Sequence, residues 1–97
     1  MGKVTWTIIA REDLKEIGDY IALDSLMYAK RTISTLISRT KILKSQPFIG
    51  RSVPEQTENS DIRKLIEVSY PIIYKLFERD VLILSVIKSD RLLPDSI

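Results

Sequence analysis

Asp61–Pro94 reads DIRKLIEVSYPIIYKLFERDVLILSVIKSDRLLP. Three runs rich in β-branched and aromatic residues follow one another here, at Ile62–Val68, Tyr70–Phe77 and Val81–Ile87. Such composition favours strands, and the breaks between the runs carry turn residues. Glu78-Arg79-Asp80 predicts a short hairpin turn, and Ser69 a turn ahead of Tyr70. In the middle run Ile72, Tyr74 and Leu76 alternate with Ile73, Lys75 and Phe77, so the two sets line opposite faces. Pro71 removes one ladder donor and predicts a sheet edge or a bulge at that end. The last run, VLILSVI, is apolar at nearly every position, as befits a strand covered on both faces in the middle of a sheet.

Upstream the period changes. Val4–Ile9, VTWTII, predicts a first strand with Val4, Trp6 and Ile8 on one face. Arg11–Leu23 predicts a helix from the spacing of Leu14, Ile17 and Ile21. Glu12 and Asp13 then fall in its first turn, where the helix dipole favours negative charge. Gly18 marks close packing against a neighbour. Asp24-Ser25 reads as a break and a new N-cap. Ala29, Ile33, Leu36, Ile37 and Leu43 give a second amphipathic helix over Leu26–Lys44, and two helices so closely joined form an antiparallel hairpin. Pro47 stops that helix, Gly50 is placed to adopt positive φ, and Arg51–Ser60 reads as a polar loop. The order β-α-α-β-β-β predicts an α+β fold: a helical hairpin packed on a mainly antiparallel four-stranded sheet, because neither helix can bury its stripe alone.

The 97 residues suffice for one domain with one core, 1–97, and 44% hydrophobic with 29% charged residues is ordinary for a globular chain. Cysteine and histidine are both absent. That excludes disulfides, thiolate zinc sites and the usual general base near neutral pH, so no metal and no cofactor is expected. The net charge of +2 is too small to mark a nucleic-acid binder by itself. No apolar run reaches the ~18–20 residues of a membrane span, and Met1-Gly2-Lys3 leads into a strand pattern with no signal-peptide character, which predicts a cytoplasmic protein with no membrane partner.

The ordered set Trp6, Ala10, Asp13-Leu14, Ile17, Tyr20-Ile21, Asp24-Ser25, Ala29, Pro47, Gly50-Arg51, Val53-Pro54-Glu55, Ile62-Arg63, Leu65, Tyr70, Ile73-Tyr74, Ile83-Leu84 and Arg91 resembles the RelE/ParE superfamily of type II toxin–antitoxin toxins, closer to its ParE branch. The resemblance spans nearly the whole chain. It implies a toxin that inhibits DNA gyrase, by trapping it with cleaved DNA, and that is neutralised by a cognate antitoxin of the ParD or RelB kind. That antitoxin is expected to lay a helix in a hydrophobic groove and to extend the sheet. Leu26, Met27 and Leu36 on the helical hairpin are its candidate contacts. On the sheet, the resemblance implies a basic face for the target: Arg51, Arg63, Lys75, Lys88 and Arg91. The bland alternative for those cations is a solvated face.

The RelE-like branch implies a different activity, cleavage of messenger RNA on the ribosome, for which Arg63, Lys88 and Arg91 are the matching catalytic positions. Here the chain departs from the pattern. Pro71 stands where that branch has an arginine after the strand tyrosine, and no tyrosine follows Tyr74. A gyrase inhibitor needs a binding surface and is untouched by these losses; an inactive, antitoxin-binding member is the third alternative. The aromatics could stack on bases, but Trp6, Tyr74 and Phe77 lie in strand patterns that predict core positions. The carboxylates Glu12, Asp13 and Glu16 could suggest a paired-carboxylate site; the helix dipole accounts for two of them.

Overall fold

The computed structural model describes residues 2–52, 61–66 and 70–87. In chain order the elements are β1 (Val4–Trp6), α1 (Ile8–Ala22), α2 (Leu26–Lys41) with a 3-10 turn over Ile42–Lys44, β2 (Arg51–Ser52), β3 (Ile62–Leu65), β4 (Ile72–Phe77) and β5 (Asp80–Val86). The sheet runs β1-β5-β4-β3-β2, antiparallel throughout except for the parallel pair of β1 with β5. The four expected strands and the helical hairpin are all present. The two-residue β2 adds a fifth strand at the edge of a segment expected to be loop.

α1 begins three residues earlier than its hydrophobic period suggested. Thr7 is the reason: its Oγ accepts from the Ala10 N–H at 3.1 Å, which caps the helix, and donates to the Ile83 carbonyl at 2.9 Å. Ile8 and Ile9, β-branched and strand-like by composition, therefore open the helix and point to solvent. Ile8 does not share the buried side of β1 with Trp6. Glu12 and Asp13 consequently lie in the second turn, not the first. Ser25 caps α2 as its sequence implied, accepting from the Tyr28 N–H at 3.1 Å.

Ala10, Ile17 and Ile21 of α1, with Ala29 and Leu36 of α2 and Leu43 of the 3-10 turn, close over Leu65, Ile72, Tyr74, Leu76, Val81, Ile83 and Val86. Gly18 lets the two helices approach: a Cβ there would meet Ile33 Cγ1 at 3.3 Å. Trp6 is half-buried against this core, but Phe77, expected inside, is 48% exposed with the Lys75 ammonium 4.7 Å from its ring centroid. Alternation forces this outcome, since Phe77 shares its face with Ile73 and Lys75 and not with Tyr74.

A bulge sets the character of β5. Ile73 pairs with Ser85 and Tyr74 with Ile83, so Leu84 is the extra residue. Before it Val81 and Ile83 face the core, and after it Val86 does, so the inward side changes from odd to even positions. This is why VLILSVI lacks clean alternation. β5 is also a central strand, between β1 and β4. Pro71 lies just ahead of β4, which is internal and not an edge; its carbonyl accepts from the Ile87 N–H at 2.8 Å, so the ladder there uses the one backbone group that proline retains.

Candidate functional site

Two surfaces carry the residues singled out by sequence. The first lies between the helices. Gly18 and Ala22 on α1, with Leu26, Ala29, Ile33 and Ile37 on α2, line an open groove of about 530 Å³. The small residues of α1 keep its wall low, while the three- and four-residue spacing on α2 makes an apolar stripe beside the one that faces the core. Asp19, Lys30 and Lys41 stand at the rim. Of the three predicted antitoxin contacts, Leu26 lines this groove and is 62% exposed, and Met27 is 70% exposed at the hairpin tip. Leu36 is 1% exposed and belongs to the core. It cannot meet a partner, because the same helical period that made it a candidate turns it toward the sheet.

The second surface is the sheet face turned away from the helices. Arg51 pairs directly with Lys64, Lys64 with Ile73, and Lys75 with Ile62, so all of these share that face. Arg51, Lys64 and Lys75 thus form a diagonal of cations among Ile62 and Ile73. Like charges directly opposite one another across strands are unfavourable, so this arrangement favours an anionic partner. Lys64 was not picked out by sequence, although Arg63 beside it was. Adjacent strand residues face opposite ways, and the signal lay in choosing the member in phase with Lys75 and Ile73.

Arg63 occupies the other face, in register with Tyr74. Its Nη1 donates to the Gly50 carbonyl at 2.8 Å and to the Phe48 carbonyl at 3.4 Å, and its guanidinium lies 5.2 Å from the Phe48 ring centroid. Its Nε is buried with no hydrogen-bond partner among the described residues. Arg63 therefore fastens the segment before β2 and stands apart from Arg51 and Lys75. Tyr74 fastens the same segment from beside it: its hydroxyl accepts from the Gly50 N–H at 2.9 Å and donates to the Pro47 carbonyl at 2.8 Å. Burial pushes the Tyr74 phenol above its ordinary value, while the Gly50 N–H and the charge of Arg63 pull the other way. Gly50 has negative φ, so the expected positive φ is not its role. A Cβ there would overlap the Tyr74 hydroxyl. Lys88 and Arg91 lie outside the described residues.

Asp13 is the buried charged residue that sequence placed elsewhere. It is 8% exposed and accepts from the Val86 N–H at 3.0 Å and from the Ser85 hydroxyl at 2.9 Å. The bulge at Leu84 presents both donors to α1. Its position is a helix-to-sheet clasp and not half of a carboxylate pair, for Glu12 and Glu16 are exposed. Among the described residues no group of three acidic, histidine or cysteine side chains is placed to hold a metal ion, and no helix is long and apolar enough to cross a membrane.

Comparison with known proteins adds a family. The model of the ParE toxin of type II toxin–antitoxin system, parDE, matches residues 4–93. Among solved structures the chain is similar to the chromosomal ParDE TA system from P. aeruginosa, at 22% identity and a TM-score of 0.71, covering 91% of this chain and 96% of that one. At that identity the likeness speaks for the fold. A comparison with curated proteins found no match.

Proposed function

Since the chain belongs to the ParE toxin family of type II toxin–antitoxin systems, we propose that it arrests growth by inhibiting DNA gyrase and that a cognate antitoxin silences it by laying a helix between α1 and α2. The observation that carries the antitoxin half is the groove of about 530 Å³. Its apolar floor, low glycine and alanine wall and mixed-charge rim suit an amphipathic helix read through residues three and four apart. The target half rests on family membership and on the diagonal of Arg51, Lys64 and Lys75, a docking face for an acidic surface, to which we add Lys88 and Arg91 from sequence. Binding there requires no catalytic group.

Purified protein titrated into a gyrase supercoiling reaction tests the reading. Supercoiling is lost and cleaved DNA accumulates, and equimolar antitoxin restores activity. Full supercoiling at concentrations that stop growth would sink it. Messenger-RNA cleavage on the ribosome is the second reading, and it is weaker on one observation: Arg63, one of the three residues it needs, has its guanidinium engaged by the Gly50 and Phe48 carbonyls. Transcripts cut within translated codons during growth arrest would reverse that order.

A further inference from the structure

At the tip of the helical hairpin the chain leaves large apolar side chains in solvent. Tyr20 and Leu23 at the end of α1, and Leu26, Met27 and Tyr28 at the start of α2, are all more than half exposed. Five such residues within nine positions are more than the scattered apolar groups of an ordinary surface. They are not featureless. Tyr20, Ile21, Leu23, Asp24, Tyr28 and Tyr70 converge on a cavity of about 410 Å³, where the tip meets the approach to β4. This cavity is separate from the groove between the helices; the two share no lining residue.

Its chemistry is specific. Three phenol rings from three segments of the chain supply electron-rich faces, which attract organic cations. Asp24 places a carboxylate at the same wall and forms no ion pair among the described residues. The cavity lies where α1 ends and α2 begins, so the two helix dipoles oppose one another there and neither sets its preference. The aromatic faces and the carboxylate both favour positive charge, and the cavity is large enough to admit a guanidinium or alkylammonium group with its methylene stem. Leu23 on the lining and Met27, exposed at the same hairpin tip, add apolar surface that a small free cation would not cover, whereas a polypeptide crossing the tip would.

We propose that this cavity is a recognition site for a cationic side chain, arginine or lysine, carried by an apolar segment of a protein partner. The site does not depend on the gyrase reading or on occupancy of the groove. It is tested with the full chain and three peptides: acetyl-Leu-Arg-Leu-amide, the same peptide with neutral citrulline for arginine, and acetyl-Gly-Arg-Gly-amide. Each is titrated while the ring resonances of Tyr20, Tyr28 and Tyr70 are followed by NMR. The Leu-Arg-Leu peptide gives saturable shifts at those rings, and citrulline weakens binding at least fivefold. Asp24→Asn and Tyr28→Leu, both at exposed positions, each weaken it at least fivefold with thermal midpoints unchanged. Equal binding of the citrulline peptide, or shifts indifferent to both substitutions, overturns the proposal. Equal binding of Gly-Arg-Gly overturns the polypeptide source in favour of a free small cation.

Discussion

The Tyr74 hydroxyl and the Gly50 amide are 2.9 Å apart across 24 residues of chain, and the tyrosine sits where any side chain on residue 50 would have to be. One group thus satisfies a buried donor and, at the Pro47 carbonyl, a half-buried acceptor. Tyr74→Phe leaves both unmade and is expected to cost about 1–3 kcal/mol, read from the urea midpoint at unchanged slope. Gly50→Ala is expected to cost at least as much, because the ring and the segment it anchors must separate. Equal stability of both variants and wild type would show that this segment is not held from the sheet.

The same phenol makes stability depend on pH. Burial raises its folded-state value above the ordinary one, so the folded state holds the proton more tightly than the unfolded chain. The contribution is fully present below the unfolded value near 10 and is lost as pH rises through the folded value. Between pH 8 and 11 the stability gap between wild type and Tyr74→Phe is therefore expected to narrow as pH rises. A gap that widens would contradict the assignment, and other tyrosines cancel in the difference.

Asp13 gives a second stability test. Asp13→Ala strands the Val86 amide in the core and is expected to cost about 1–3 kcal/mol. Hydrogen exchange at Val86 should accelerate at least in proportion. A substitution at neighbouring, exposed Glu12 should do neither.

Glu78 holds φ at 54°, at the first of two residues joining Phe77 and Asp80. A side chain there works against the backbone, since the left-handed region costs a non-glycine residue about 1–2 kcal/mol. Glu78→Gly is expected to raise stability by about 0.5–1 kcal/mol, the strain relieved exceeding the added freedom of the unfolded chain. A lower thermal midpoint would refute this.

Leu26 and Leu36 separate recognition from packing. Leu36→Ala should cost about 2–5 kcal/mol of stability, as core truncations do. Leu26→Lys should leave the melting temperature in place and weaken antitoxin capture at least tenfold in a titration. If Leu26→Lys binds as wild type does, the antitoxin does not occupy the groove.

Much of this architecture could be read directly from the chain. The helical periods, the Ser25 cap, the three late strands and the central place of VLILSVI follow from spacing and composition alone. What escaped were features that depend on a distant partner. Thr7 starts α1 because the Ile83 carbonyl steadies its hydroxyl, a contact 76 residues away that overrides the strand propensity of Ile8-Ile9. The bulge at Leu84 conceals a period of two behind a run that is apolar at nearly every position. Arg63 and Lys64 are interchangeable as letters, and only the register assigns one to the fold and the other to the open face. The candidate groove was half legible, since a helix stripe reveals which residues are apolar and not which of its edges meets the core.

The parallel pairing of β1 with β5 has a consequence for synthesis. Val4 finds Val81 only after β5 has been synthesised, and contacts of such sequence separation form late because a long loop must close first. A nascent chain leaving the ribosome can form the helical hairpin locally while β1, the Asp13 clasp and the open sheet face all wait for the last strand. For a toxin, that order has value. The hairpin and its groove are built early, and the sheet face proposed for the target is completed only once β5 has been made.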